Sequence, residues 1–183
     1  MALRRWTRLA TETLFRNPWW EYRRDGFRLP DGEDGEYHYV HTPGSVMLLP
    51  RLGDGRFLLV RQYRYLLDRE SVEFPAGGVK KSQTVREAAE AELREEAGFA
   101  AGRLEEIGTY NPFNGVTDEL CHVFLATELT EVEATPDATE EFEYLHCREE
   151  EIRRMIADRA IWDGMSLAAW ALYSSREPSV KEQ

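Results

Sequence analysis

The chain has 183 residues, of which 34 are acidic and 23 basic, so it carries a formal charge of −11 at neutral pH. That balance argues against broad binding to a phosphate backbone, and no nucleic-acid partner is expected. Hydrophobic residues make up 42% of the chain and aromatic residues 11%, which is enough to bury the core of one domain, or of one domain with a small appendage. Its longest apolar runs, Ser45-Val46-Met47-Leu48-Leu49 and Phe57-Leu58-Leu59-Val60, are strand-sized and far short of the roughly 18 residues of a spanning helix, so no membrane is expected.

The basic opening, Met1 to Leu9, is not followed by an apolar core or a small-residue cleavage pattern, and the cytoplasm is the expected location. Cys121 and Cys147 show no CxxC or Cys/His spacing and read as reduced thiols. Between Trp19 and His41 two alternating stretches flank the turn Leu29-Pro30-Asp31-Gly32, which predicts a small antiparallel unit. Strands are expected over 45–49 and 56–63, joined by hairpin chemistry at Arg51-Leu52-Gly53-Asp54-Gly55. Residues 84–97 are rich in strong helix formers, and Gly98 follows as a stop. Further strands are expected over 104–110 and 120–127, then an acidic mobile loop from Thr130 to Glu141. A strand over 142–146, an amphipathic helix from Arg148 to Arg159 and a helix over 165–175 complete the order. The class is α+β or α/β with mixed strands.

Glu92, Glu95 and Glu96 stand at i, i+3 and i+4, on one side of the predicted helix. Like charges so placed repel by about 0.2–0.5 kcal/mol per pair unless water, a cation or basic neighbours offset them. One reading is a solvated face with Arg86–Glu90 and Glu90–Arg94 pairs. The other takes in the segment upstream, Glu73-Phe74-Pro75-Ala76-Gly77-Gly78-Val79, where a strand ends in two glycines. Glycines admit close approach of a ligand, and carbonyls facing carboxylates suit a hard divalent ion such as Mg²⁺ or Mn²⁺.

The run Gly77 to Phe99 resembles the Nudix box, GX5EX7REUXEEXGU with U a bulky apolar residue. Gly77, Glu92, Leu93, Glu95, Glu96, Gly98 and Phe99 match in type and spacing across 23 positions. Gln83 stands where the pattern has glutamate and Ala91 where it has arginine. In the family these two side chains mainly support each other, so their joint loss leaves no orphan charge. The resemblance implies a Nudix fold, an α/β/α sandwich with a mixed β-sheet, plus the small N-terminal antiparallel β unit. It also implies Mg²⁺ (or Mn²⁺) held by Glu92, Glu95, Glu96 and the Ala76 carbonyl.

Flanking stretches resemble the ADP-ribose and nucleotide-sugar pyrophosphatase branch: Leu29-Pro30-Asp31-Gly32, Val60-Arg61-Gln62-Tyr63-Arg64, Glu73 to Gly78, Asn114 to Glu119, and Ile161-Trp162-Asp163-Gly164. The resemblance places Arg64 beside a diphosphate, which its planar fork suits; the competing reading is a surface arginine paired with Glu73. Gln62 and Arg64 share one strand face, with Arg61 on the other. Glu73, Asp118 and Glu119 join the substrate side. Trp19 or Trp20 is implied as the ring that stacks on a base, the alternative being a core aromatic, and Glu140 or Glu141 as a catalytic base or, for Glu140, a further metal ligand. The implied organisation is a dimerisation and base-binding unit over 1–44, a catalytic domain over 45–176 and a disordered tail over 177–183, with a homodimer expected. The implied activity is metal-dependent hydrolysis of a nucleoside diphosphate linked to X, giving a nucleoside monophosphate and phosphorylated X. The reading from a different class is a Nudix-fold module that senses a nucleotide without cleaving it.

Overall fold

A computed structural model describes residues 3–134 and 141–176. Within it the chain divides into two compact units, one of residues 1–44 with 111–120, the other of 45–110 with 121–183.

In the first unit, β1 (Thr7–Arg16), β2 (Glu21–Arg28) and β3 (Asp34–His41) form an antiparallel sheet in that order. β1 lies where no strand is expected from sequence. All ten of its residues are exposed, so no buried face imposes the period of two by which a strand is recognised. Its ladder to β2 holds it, with bulges near Leu9 and Leu14. On β2 the buried residues are Glu21 and Asp25, and each is compensated: Arg16 and Arg23 reach Glu21 at 2.8 and 2.6 Å, while Arg8, at 2.8 Å, and the Thr11 hydroxyl, at 2.7 Å, reach Asp25. Buried charges persist only when paired in this way. Residues 111–120 belong to the same unit through the Val40 N–H bond to the Val116 carbonyl, 2.8 Å, and the Tyr37 hydroxyl bond to the Gly115 carbonyl, 3.1 Å.

The second unit contains two sheets. One orders β10 (Glu143–Cys147), β5 (Phe57–Arg64) and β6 (Arg69–Glu73); the other orders β7 (Ala76–Gly78), β4 (Ser45–Pro50), β9 (Cys121–Glu131) and β8 (Phe99–Tyr110), with β4 and β9 parallel. The helices are α1 (Val85–Glu95), α2 (Glu149–Ala157) and α3 (Gly164–Ser174). Alternation along the strands builds the layers. Val46, Leu48, Leu58, Phe124 and Ala126 cluster with Ala88, Ala89 and Leu93 of α1. Met47, Leu49, Phe57, Leu59 and Val123 cluster with Ile152 of α2 and with Ala169 and Trp170 of α3. A sheet buried on both faces needs continuous apolar runs, which accounts for Val46–Leu49 of β4 and for Phe57–Val60 in the first half of β5. The result is the α/β/α sandwich. Phe57 and Phe74 pack with Trp170 and Tyr173 of α3 at 5.1–6.4 Å between rings, Phe74 stacked on Trp170 and the other pairs edge-on or tilted.

The glycine pair ends a strand as expected: Gly77 and Gly78 close β7, paired with Val46 and Ser45. One expectation is corrected. β9 runs to Glu131, into the expected acidic loop, because the matching length of β8 pairs it out to Phe99. No helix among the described residues is long and apolar enough to cross a membrane.

Candidate active site

The two ends of α1 are held differently. At its start the Thr84 hydroxyl accepts the Glu87 N–H at 3.2 Å, and the Glu87 carboxylate accepts the Thr84 N–H at 2.7 Å, a reciprocal capping box. Hydrogen bonding at Thr84 holds the Glu87 carboxyl below the usual glutamate range. Gln83 closes the preceding turn, its side-chain oxygen accepting from the Lys80 N–H at 3.3 Å. Arg86 donates to the Leu104 carbonyl at 2.8 Å and lies 3.7 Å from Glu90. These contacts support the helix and its approach loop where Gln83 and Ala91 depart from the box.

At the other end the carboxylates meet the glycine strand. Glu96 is buried, and its Oε2 accepts the Ala76 N–H at 3.1 Å. The Glu92 carboxylate lies so closely over Gly77 that a Cβ there would overlap it. Gly77 is required for that close approach rather than for its own dihedral angles. Glu95 is half-buried, and the contacts with β7 are made by its two neighbours on the helix. Gly98, at φ +69°, ends the turn in the left-handed conformation suited to glycine.

Gln62 and Arg64 share one face of β5, and both reach Glu73. Arg64 Nε donates to Glu73 Oε1 at 2.8 Å, a second guanidinium nitrogen donates to Oε2, and Gln62 donates to Oε2 at 3.3 Å. Arg61 instead pairs with Glu143 across the ladder at 3.0 Å. The hydrogen bonds to Glu73 raise the Arg64 pKa above its ordinary value; burial opposes them, and the charges of Glu73, Asp163 and Glu96 add to the rise. Arg64 is thus a cation held in place by Glu73. Glu141 is exposed and lines a cavity of about 280 Å³ with Gln62, Glu70 and Phe142. Glu140 lies outside the described residues, as does the tail over 177–183.

The remaining predicted residues belong to the first unit. Trp19 and Trp20 occupy the turn before β2, where Asn17 Oδ1 accepts both of their N–H groups at 2.9 and 2.8 Å. Trp19 is 76% exposed, whereas Trp20 tilts against Phe15 at 5.6 Å. Neither is a core aromatic. Asp118 pairs with His41 at 2.8 Å, and Glu119 offers its carbonyl to Asn111 at 2.7 Å. This unit also has a cavity of about 500 Å³, walled by the stacked Trp6 and Phe27 rings and by Arg8, Asp25 and Asp118. Sequence reasoning did not single out Trp6 or Phe27, nor Thr84 and Glu87, although T-x-x-E ahead of a helical run is a readable cap signal.

Among the described residues no three His, Cys, Asp or Glu side chains are gathered into a ready cage. Mg²⁺-like ions are usually held by one or two carboxylates, with water and substrate phosphate completing the shell. Glu92 and Glu96 both meet the β7 backbone, Glu92 over Gly77 and Glu96 at the Ala76 N–H. Carboxylates set against a glycine strand are oxygen donors of the type that hard divalent ions take.

Comparison with known proteins agrees. The NUDIX domain model matches residues 41–166, and that of the nucleoside diphosphate sugar hydrolase N-terminal domain matches residues 6–40. The chain is 30% identical over 163 residues to an ADP-ribose pyrophosphatase of Bacillus subtilis (strain 168), covering 88% of each chain. It is 28% identical over 163 residues, with the same coverage, to the methanol dehydrogenase activator of Bacillus methanolicus. A crystal structure of an ADP compounds hydrolase superposes with a TM-score of 0.81 at 21% identity, covering 95% of both chains, and supports the fold. The chain belongs to the NUDIX family, whose hydrolases generally need a divalent metal.

Proposed function

We propose that this Nudix hydrolase cleaves the diphosphate of a nucleoside diphosphate linked to a sugar, ADP-ribose or a nucleotide sugar, with Mg²⁺ as the working ion. The observation that carries the reading is the convergence of the Glu92 and Glu96 carboxylates on the Ala76-Gly77 backbone. The N-terminal match to a nucleoside diphosphate sugar hydrolase domain and the ADP-ribose pyrophosphatase relative support the substrate class.

A bound divalent ion supplies charge neutralisation for the diphosphate and acidifies the attacking water. Glu92, Glu96, Glu95 and the Ala76 carbonyl are the residues assigned to hold it. The Ala76 N–H orients Glu96, and Gly77 leaves Glu92 its place. Arg64, fixed by Glu73, meets a substrate phosphate with its free edge. Glu141 or Glu140 accepts the proton as the water oxygen bonds to phosphorus and the bridging P–O bond breaks. The products are a nucleoside monophosphate and phosphorylated X. Trp19 of the first unit, the more exposed of the two indoles, takes the base, and Asp118 and Glu119 act on the substrate side. Residues 1–44 serve base binding and assembly of a homodimer, residues 45–176 the chemistry, and the enzyme works in the cytoplasm.

Incubation with ADP-ribose, ADP-glucose, GDP-mannose, UDP-glucose and a nucleoside triphosphate, with and without Mg²⁺, tests this. Metal-dependent AMP or GMP from one diphosphate is expected. Binding of these compounds without turnover would replace the reading with that of a nucleotide sensor, with Gln83 and Ala91 as its first suspects.

A further inference from the structure

Along β10, Leu145 and Cys147 belong to the core that faces α2 and α3. Alternation therefore sends Tyr144 to the opposite face, the side of α1. There its hydroxyl donates to the backbone carbonyl of Glu96 at 2.8 Å, across 48 positions of sequence. That carbonyl is one of the last four of the helix, which have no partner within it. The same residue is fixed at two other atoms: its N–H bonds to the Glu92 carbonyl at 2.9 Å, and its carboxylate takes the Ala76 N–H. Tyr144 is itself set by the ladder, opposite Val60 of β5.

We propose that Tyr144 is a positioning residue: by holding the Glu96 peptide, it aims the Glu96 carboxylate at the site shared with Glu92 and the β7 backbone. It acts through Glu96 and touches no reacting atom. The inference rests on the metal-site reading above, and its test separates the two.

Mn²⁺ binding to the substrate-free protein is measured by electron paramagnetic resonance, beside amide hydrogen exchange at Ala76 in metal-free protein. Tyr144→Phe keeps the ring and removes only the donor. Outer partners of metal ligands typically contribute about 10–100-fold in affinity, so Mn²⁺ affinity is expected to fall by about ten-fold at the lower end of that range, and the Ala76 amide to exchange faster. Tyr144→Leu is expected to lose a similar factor, because the hydroxyl carries the effect. Tyr173→Phe, which removes the hydroxyl bond to Glu149 at 2.9 Å, is the control and is expected to change neither readout. Unchanged Mn²⁺ affinity and Ala76 exchange in Tyr144→Phe, with only a lower melting temperature, overturn the positioning role. Absence of Mn²⁺ binding in the wild type overturns the metal-site reading itself, and this inference with it.

Discussion

The cap at the start of α1 is made by residues three apart in sequence, Thr84 with Glu87 and Lys80 with Gln83, with Arg86 adding one longer contact to Leu104. The end of α1 is organised across 20 and 48 positions, by Ala76 and Tyr144. A local cap forms whenever the helix forms, whereas long-range contacts require both sheets to be in place. The proposed chemistry sits at the end that depends on the finished fold. Loss of a cap should therefore cost stability and spare the site, and loss of a distant contact should do the reverse.

The largest effect is expected from Glu96→Gln, which keeps the shape and removes the charge. Substitutions one shell further out cost about 10–100-fold, so a direct ligand should cost about 100-fold or more in kcat/KM, with folding intact by circular dichroism. A loss below ten-fold would move the site away from this end of the helix. Gly77→Ala comes next, because its Cβ would overlap the Glu92 carboxylate. Overpacking of this kind costs about 1–3 kcal/mol; denaturant unfolding should show it, and Mn²⁺ affinity should fall with it. Thr84→Ala removes the cap and should cost about 1 kcal/mol, read as a lower melting temperature while Mn²⁺ affinity stays at the wild-type value. A fall in affinity there would erase the distinction between the two ends.

The smallest effect concerns pH. The Glu87 carboxyl has a lower pKa in the folded protein than the ordinary value of 4.5, through its hydrogen bonds to Thr84. Its contribution to stability is therefore present above the ordinary glutamate pKa and lost as pH falls through the lowered folded value. The stability gap between wild type and Glu87→Ala should narrow over that acid window and be constant at neutral pH, as urea titrations at several pH values would show. A gap that widens toward acid would mean that the carboxylate is not the capping group.

The candidate site was legible in sequence where its residues lie close together. Glu92, Glu95 and Glu96 within one helical turn, and glycines ahead of that helix, carry their spacing in the chain itself. β4 and the first half of β5 were legible because burial on both faces leaves apolar runs. β1 was not, because exposure on both faces leaves no pattern to read. Nor did the sequence indicate that Glu21 and Asp25 would be the buried residues of β2, since only their arginine and threonine neighbours across the ladder make burial tolerable. Arg64 showed both of its readings in advance. The structure realises the contact with Glu73, and the same contact holds the guanidinium in one orientation. Tyr144 left no signal, as its role depends on a hydroxyl meeting a carbonyl across 48 positions.

The N-terminal unit draws on two stretches of chain, 1–44 and 111–120. Genetically it is therefore not a cassette. Excision at residue 44 would strand Val116 and Gly115, whose partners are Val40 and Tyr37, and grafting residues 1–44 onto another protein would carry β3 without the segment that bonds to it. Shuffling by recombination succeeds where a unit is bounded by one cut at each end. Here the ten residues from Asn111 to Leu120 would have to travel with the first 44 for those bonds to be kept.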